Sequence, residues 1–434
     1  MIRTAVIGAG WAGATTALIL ARAGVSVTVF EASKVAGGRA RRIDHDDRVF
    51  DNGQHLLLGA YGRSISMIES LHARADDVLL RLPLTLCSAP SSRVPLGMIA
   101  PDISAPLHLL AAIASASGLS TTDKMKTIWW AKRHLGNHSV SCDLTVAELI
   151  AEQPDAVRKL LWEPLCVAAL NTLAESASAA VFIEVLRRAF TSHSHASDLL
   201  VPRVNLSALL PEPALAEVSA RGHEVFHSTP VVAVMQDDSG VAVETRSGSK
   251  RFDCAVIATG PQHVSRLLAT DPAAEPVVRA LHDIHYEPIT TLHFEFVCIS
   301  PNVDITNPML MLDGEPGQWL FWQRQANGHW RASLVIRAHH RDDENVGLSS
   351  KALAQLRRSY QLPNPVWFRT ITEKRATYAC TPSQTRVLAA LPKQAGKLLF
   401  AGDWCVPELP ATLEAAVISG ENVATKIISG AMHG

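Results

Sequence analysis

Residues 3–13 read Arg3-Thr4-Ala5-Val6-Ile7-Gly8-Ala9-Gly10-Trp11-Ala12-Gly13, and this stretch decides the fold. Arg3 to Ile7 has the apolar run of a buried strand. Gly8 to Gly13 has the spacing of a phosphate-binding turn. Ala14 to Ala23 continues as a small-residue helix, and Val25 to Phe30 is a second strand leading into Glu31 and Ala32. Strand, turn, helix, strand and acid is the order that a dinucleotide requires. Gly8 permits the tight turn, and Gly10 lets the backbone approach a pyrophosphate. Ala9, Trp11 and Ala12 supply the backbone between the glycines, and Gly13 lets the helix pack closely on the strand. Free N–H groups and a partial positive charge at the helix start favour phosphate. Glu31 lies 18 residues past Gly13. A carboxylate there can accept both ribose hydroxyls and disfavours a 2′-phosphate, so the site is not expected to hold NADP.

Ala36-Gly37-Gly38-Arg39-Ala40-Arg41 follows the second strand. It resembles the GG motif of FAD-binding amine oxidases and carotenoid desaturases. The resemblance implies that Gly37, Gly38 and Arg39 pass close to the diphosphate and flavin. Farther on, Pro230-Val231-Val232-Ala233-Val234 precedes a hairpin, and Val232 is a further cofactor contact. Cys254-Ala255-Val256-Ile257-Ala258-Thr259-Gly260 returns as a strand. FAD-dependent oxidoreductases related to glutathione reductase show a similar Ala-Thr-Gly ending, which places Thr259 and Gly260 beside the first turn. Leu398 to Trp404 matches their second fingerprint, in which Gly402-Asp403 faces the ribityl chain. Pro410 to Ala416 begins a helix whose N–H groups, from Ala411 and Thr412, could meet the flavin's carbonyl side. Ala415 stands where glycine is expected, and Cys405 has no obvious analogue. A covalent flavin tether at Cys380 or Cys405 lacks its surrounding pattern, so the expected cofactor is non-covalent FAD.

Composition agrees with a large globular enzyme. The chain has 434 residues, 47% of them hydrophobic, enough for one large core or two joined ones. Its formal charge of -1 gives no basic field for nucleic acid. Seven scattered cysteines without a CxxC pair suggest reduced thiols rather than a disulfide frame or a metal site. The apolar N-terminus is the nucleotide strand itself and lacks a cleavage pattern. No window has the roughly 18 uncharged apolar residues that span a bilayer.

Proline and serine at 88–92 and 101–106 read as loops. Leu144 to Leu161 and Ser176 to Phe190 have helical spacing. Val225 to Val234, Gly240 to Thr245 and Ala255 to Thr259 read as strands. Thr290 to Ile299, Trp319 to Gln323 and Ala332 to Arg337 read as an antiparallel sheet. Lys397 to Ala401 and Thr412 to Ile428 close the chain as strand and helix. The expected fold is α/β plus α+β. A discontinuous Rossmann-like FAD domain of glutathione-reductase type comprises 1–85, 205–270 and 390–434. A helical substrate or membrane-contact region spans 86–204, and a substrate domain with antiparallel sheet spans 271–389.

Val49-Phe50-Asp51-Asn52-Gly53-Gln54-His55-Leu56-Leu57-Leu58-Gly59-Ala60-Tyr61 and Leu161-Trp162-Glu163-Pro164-Leu165-Cys166-Val167-Ala168-Ala169-Leu170-Asn171 narrow the resemblance. With Glu373 to Thr377 and Leu409 to Thr412, they resemble the hydroxysqualene dehydroxylases of bacterial hopanoid synthesis, also called squalene-associated FAD-dependent desaturases. The likeness spans nearly the whole chain. It implies reductive removal of an allylic hydroxyl from a C30 isoprenoid, with hydride from reduced flavin and loss of water. Such chemistry needs an acid at the hydroxyl, a wall that tolerates a developing cation, and exclusion of water.

His55 is the first expected proton donor, since imidazole titrates near neutral pH. Its alternative is a histidine that fixes the loop beside the flavin, with Gly53 and Gln54. Asp51 lies in the same loop. Glu163, in an apolar stretch, is the second expected acid, with capping or ion pairing as its alternative. Asn171 and Tyr378 are weaker candidates. A long-chain isoprenoid substrate implies a peripheral position on the inner face of the cytoplasmic membrane. Leu107 to Ile113 and Lys124 to Arg133, with paired tryptophans, form the expected patch; two packed helices are the alternative. Upstream prenyl synthases of the squalene pathway are the implied partners. The sequence does not name the electron donor; NADPH, a reductase or a ferredoxin is the expected source. Two other functions stay open: an oxidative flavoenzyme, such as a polyene desaturase or amine oxidase, and a prenyl-lipid carrier without redox activity.

Overall fold

The strand Arg3–Ile7 is the one around which the nucleotide half is assembled. A computed structural model describes residues 2–90, 92, 95–136, 140–269, 271–299, 307–337 and 347–430. Thr4 to Ile7 is buried throughout, as an interior parallel strand must be. It pairs in parallel with Ser26–Phe30 on one side and Cys254–Ile257 on the other. Glu224–Phe226 adds outside the former and Leu398–Phe400 outside the latter, with Gln394–Ala395 as an antiparallel edge. Three distant stretches of sequence therefore make one sheet. Helix Trp11–Arg22 packs against the closing helix Leu413–Ile428. Their approach depends on Gly420, where a Cβ would lie 2.5 Å from the Ala12 carbonyl oxygen.

A second sheet is antiparallel, in the order Met309–Met311, Trp319–Arg324, Trp330–Arg337, Tyr286–Phe296, Trp367–Tyr378. Leu292, Phe294, Leu320 and Leu334 turn one face onto helix Leu348–Ser359. Met309, Met311, Trp319, Phe321 and Val335 turn the other toward the helical region, where they meet helix Ala179–Thr191 and its neighbours in one core.

Several expected elements differ. Val225 to Val234 is two strands, because the chain turns at Ser228 with φ 51° and enters a separate three-stranded sheet at Val231. Leu144 to Leu161 is not one helix. It contains Val146–Leu149 and Asp155–Val157, interrupted at Pro154, and then a wide π turn at Arg158–Trp162. Helix Glu163–Leu170 follows directly. Trp367–Tyr378 is a twelve-residue strand that the sequence reading did not anticipate. Of the expected loop 88–92, Ser91 lies outside the described residues.

Candidate active site

The glycine turn has the shape of a cradle. Gly8 sits at φ 100°, and a Cβ there would be 2.8 Å from the Ala258 carbonyl oxygen. Only glycine suits that position. A Cβ on Gly10 would meet nothing closer than the Gly38 Cα at 3.8 Å, so open space lies over this backbone. Helix Trp11–Arg22 starts here with no side-chain cap and no acid in its first turn. Its first N–H groups therefore await an anion. The GG segment is drawn alongside, with the Gly37 N–H donating to the Ala9 carbonyl at 2.8 Å. Trp11 is buried beneath, its Nε1 donating to the Ala40 carbonyl at 3.3 Å.

Glu31 is buried and already organised. Its Oε2 accepts from the Ala9 N–H and its Oε1 from the Ser33 N–H, both at 2.7 Å. Each oxygen keeps lone-pair capacity for a ribose, and Ala32 beside it is exposed. Thr259 Oγ1 is buried without a partner among the described residues. Gly260 caps the next helix, which likewise has no side-chain cap. Val232 is skipped in the register between Val231 and Ala233, so this bulge position is free of the ladder and 38% exposed. Open glycine backbone, an uncapped helix start and an orphaned hydroxyl fit a dinucleotide of the FAD type.

The far end of the cradle is set by Arg39 and Asp403. The guanidinium donates to both carboxylate oxygens at 2.7 Å and to the Ala376 carbonyl at 2.8 Å. Asp403, expected to serve the ribityl chain, is thus first of all the anchor of Arg39. The Gly402 N–H donates to Ser419 Oγ at 2.8 Å, tying this loop to the closing helix. Thr412 is that helix's N-cap, accepting from the Ala415 N–H at 3.1 Å, with Ala411 just before it.

Asn52, Gly53, Gln54 and His55 form the next wall. Asn52 Nδ2 donates to the Arg39 carbonyl and to Glu373, both at 3.1 Å. A Cβ on Gly53 would lie 3.7 Å from His55 Cε1 and 3.9 Å from Thr291 Oγ1, so these groups face one space. His55 does not meet the expectation of an imidazole titrating near neutral pH. Burial pulls its pKa down to about 4, against a hydrogen bond to Gly53 and with Arg337 and Arg39 nearby. Its Nδ1 is 2.9 Å from the Gly53 carbonyl oxygen. A carbonyl only accepts, so Nδ1 carries the proton and Nε2 of the neutral ring is an acceptor. At neutral pH this histidine can take a proton but has none to give from Nε2.

The other expected acids lie apart from His55. Asp51 Oδ1 accepts from the Leu206 N–H at 2.9 Å, capping helix Leu206–Leu209. Burial pushes its carboxyl up to about 7 despite that bond and Arg331. Glu163 opens helix Glu163–Leu170 and is raised by burial and then by Glu175; the other charges acting on it are Arg158, Lys159 and Asp155. Asp51 directly precedes the Asn52–His55 wall, whereas Glu163 lies on a separate helix. Asn171 caps the far end of that helix and donates to Thr377 at 2.9 Å. Tyr378 donates to the Leu409 carbonyl at 2.8 Å. Both are held by structural bonds. Burial pushes the Cys380 thiol up to about 12 and Cys405 upward as well, which disfavours the thiolate a flavin tether would need.

Two groups that the sequence reading left without a role stand in this space. Tyr61 ends the string that contains His55, and Arg337 ends the strand Trp330–Arg337. Each is deeply enclosed yet keeps accessible surface, as does His55. That combination is what groups lining an enclosed cavity are expected to show. Leu56, Leu58, Leu165, Ala168, Ala169 and Ile289 are also only partly buried within the core. The legible signal was an arginine directly after the apolar run Leu334-Val335-Ile336.

A family model described as flavin containing amine oxidoreductase matches residues 11–428. The chain belongs to the flavin-containing amine oxidoreductases. As a member of that family it is an FAD-dependent oxidoreductase. The hydroxysqualene dehydroxylase of Rhodopseudomonas palustris is 29% identical, over 98% of each chain, and that of Sinorhizobium fredii 27%, again over 98% of each. The 15-cis-phytoene desaturase of Synechococcus elongatus is 23% identical over 99% of this chain and 96% of its own. Among solved structures, putrescine oxidase superposes with a TM-score of 0.75 at 16% identity, over 99% of both chains. An oxidoreductase from Methanosarcina mazei reaches 0.77 at 13%, over 98% of this chain and 100% of its own. At such identities the likeness speaks for the fold of this flavoenzyme.

Proposed function

We propose that this flavoenzyme removes the hydroxyl of hydroxysqualene reductively, yielding squalene and water. The observation that carries the reading is end-to-end likeness to proteins named hydroxysqualene dehydroxylase, over 98% of both partners in each pair. The partly buried Leu56, Leu58, Leu165 and Ile289, the last paired with Arg337 across the sheet, agree with an apolar substrate.

The Gly8–Gly13 turn, Glu31, Val232, Thr259, Gly260 and the start of the closing helix would hold FAD; Gly37, Gly38, Arg39, Gly402 and Asp403 would line its middle. FAD, when bound and reduced, supplies hydride chemistry to this site. The apolar walls exclude water, which would otherwise recapture a developing allylic cation as alcohol. His55, neutral and with an unprotonated Nε2, is a group that tolerates positive charge. NADPH or a reductase is the proposed source of electrons. No second nucleotide fingerprint is present in the sequence to house NADPH separately.

Anaerobic mixing of chemically reduced holoenzyme with hydroxysqualene tests the proposal. Squalene should form in step with flavin reoxidation. Absence of squalene would overturn the proposal, and oxidation of a polyene with reduction of the flavin, in a parallel reaction of the oxidised holoenzyme, would move the function to the desaturase reading, which the full-length likeness to a phytoene desaturase keeps in view.

The reading also places the enzyme on a lipid surface. Ile99, Ile103, Leu107, Met125 and Trp129 are 42–67% exposed, and Lys126, Lys132 and Arg133 are exposed near them. The Arg133 guanidinium lies over the Trp129 ring at 5.4 Å. An anionic bilayer surface suits both charge and apolar content. The patch is narrower than the sequence suggests. Trp130 is buried against Trp162, and His108, Leu109, Ala112 and Ile113 belong to the core. No helix among the described residues is long and apolar enough to cross a membrane.

A further inference from the structure

Arg337 is an anomaly among the enclosed cations of this chain. Its Nη1 donates to the Ala168 carbonyl at 2.7 Å, while its Nε is buried without a partner. No salt bridge to Arg337 exists among the described residues, whereas Arg39 and Arg331 each meet a buried carboxylate. The charge nearest in effect is the Tyr61 phenol, which has no hydrogen-bond partner for its hydroxyl among the described residues. Enclosure without a counter-ion pulls Arg337 down to about 10 and pushes Tyr61 upward, the latter also because of Glu414. At neutral pH both therefore remain proton carriers: a guanidinium and a neutral phenol. Isolating a guanidinium in a low-dielectric interior costs several kcal/mol. Tertiary structure holds it there from three sides. The strand Trp330–Arg337 provides its backbone, which donates to Gln318 at 2.8 Å; helix Glu163–Leu170 provides Ala168; and the segment after His55 provides Tyr61.

We infer that Arg337 and Tyr61 form the oxygen-binding end of the internal cavity, where the hydroxyl of an otherwise hydrocarbon substrate is received. The inference rests on the dehydroxylation reading for its substrate but not for its geometry. Overall, R–OH with a hydride and a proton becomes R–H and water. The C–O electron pair leaves on oxygen, so negative charge develops there. A guanidinium and a phenol O–H are both donors to that oxygen, and neither requires the protonated His55 that burial denies. The apolar remainder of the cavity would take the isoprenoid chain. A pure hydrocarbon gains nothing from Arg337 and leaves it unpaired, so the site should discriminate by the presence of oxygen.

The test is a binding titration of the FAD-loaded enzyme, read as perturbation of the flavin absorbance, with octane, 1-octanol and octanoate. Wild type should bind the two oxygenated probes at least about tenfold tighter than octane, with octanoate the tightest. R337Q should lose the preference for octanoate, R337K should retain part of it, and Y61F should weaken 1-octanol binding. In turnover, Y61F and R337K should lower kcat more than they raise KM. An undiminished preference in flavin-loaded R337Q would overturn the inference. Should R337Q lose its flavin, unaltered preferences in both R337K and Y61F would overturn it equally. Oxygen preference that depends on Arg337, together with failure to make squalene, would leave this site standing and remove the dehydroxylation reading instead.

Discussion

Asp51 shows how a buried group can look catalytic and serve the fold. Its folded pKa of about 7 exceeds the carboxylate value of about 3.9 in an unfolded chain. The folded state therefore holds the proton more tightly. Its contribution is complete below pH ~4, declines as pH rises toward 7, and stays at its reduced level above. Asp51→Asn keeps an oxygen to accept from Leu206 and removes the ionisation. The variant should be more stable than wild type by roughly 1–3 kcal/mol at pH 8, with the gain shrinking toward pH 5. Urea unfolding at the two pH values checks this, and a less stable variant at pH 8 would contradict it. His55 teaches the reverse lesson. Its motif suggests a proton donor, but its ionisation depends on burial and then on Arg337 and Arg39, which no local pattern encodes.

At the scale of elements, the π turn Arg158–Trp162 is the joint between the broken helical segment and helix Glu163–Leu170. Trp162 fills the space that the wide turn opens. Its ring centroid is 4.6 Å from that of Trp130, and its Nε1 donates to Gln153 at 3.2 Å. Trp162→Ala should cost about 3–5 kcal/mol of stability. It should also displace Ala168 and so weaken oxygenated-probe binding, whereas Trp162→Phe should retain most of both. Thermal melts beside the probe titration separate the two effects. Elements with strong periodicity or glycine punctuation were legible beforehand: the first strand, its turn and the closing helix. Trp367–Tyr378 was not, because only one of its residues is fully buried and its threonines and charges give no apolar alternation. The helical reading of 144–161 failed at Pro154 and at the π turn, since a 3.6-residue period cannot report a local change of winding.

Across the whole molecule, the glycine turn of the proposed cofactor cradle was readable because its tight bend and open backbone are requirements written in glycine. The cavity was not, because it arises where a sheet strand, a helix and a loop converge, with Arg337, Ala168 and Tyr61 far apart in sequence. The exposed patch around Trp129 is likewise a property of the assembled surface. Met125→Glu combined with Trp129→Glu should reduce co-sedimentation with anionic phospholipid vesicles by about tenfold or more, and high salt should weaken the wild-type interaction. Equal sedimentation of the two proteins would remove the membrane assignment without touching the active site.

The order of strands in the parallel sheet carries a temporal consequence. Arg3–Ile7 leaves the ribosome well ahead of Leu398–Phe400 and of the helix that covers its neighbours. The nascent nucleotide fold must wait, one edge open, through some four hundred residues of synthesis. Flavin capture should thus await synthesis of that strand and helix, and expression hosts short of flavin or of chaperones should yield aggregates of a chain arrested with that edge bare.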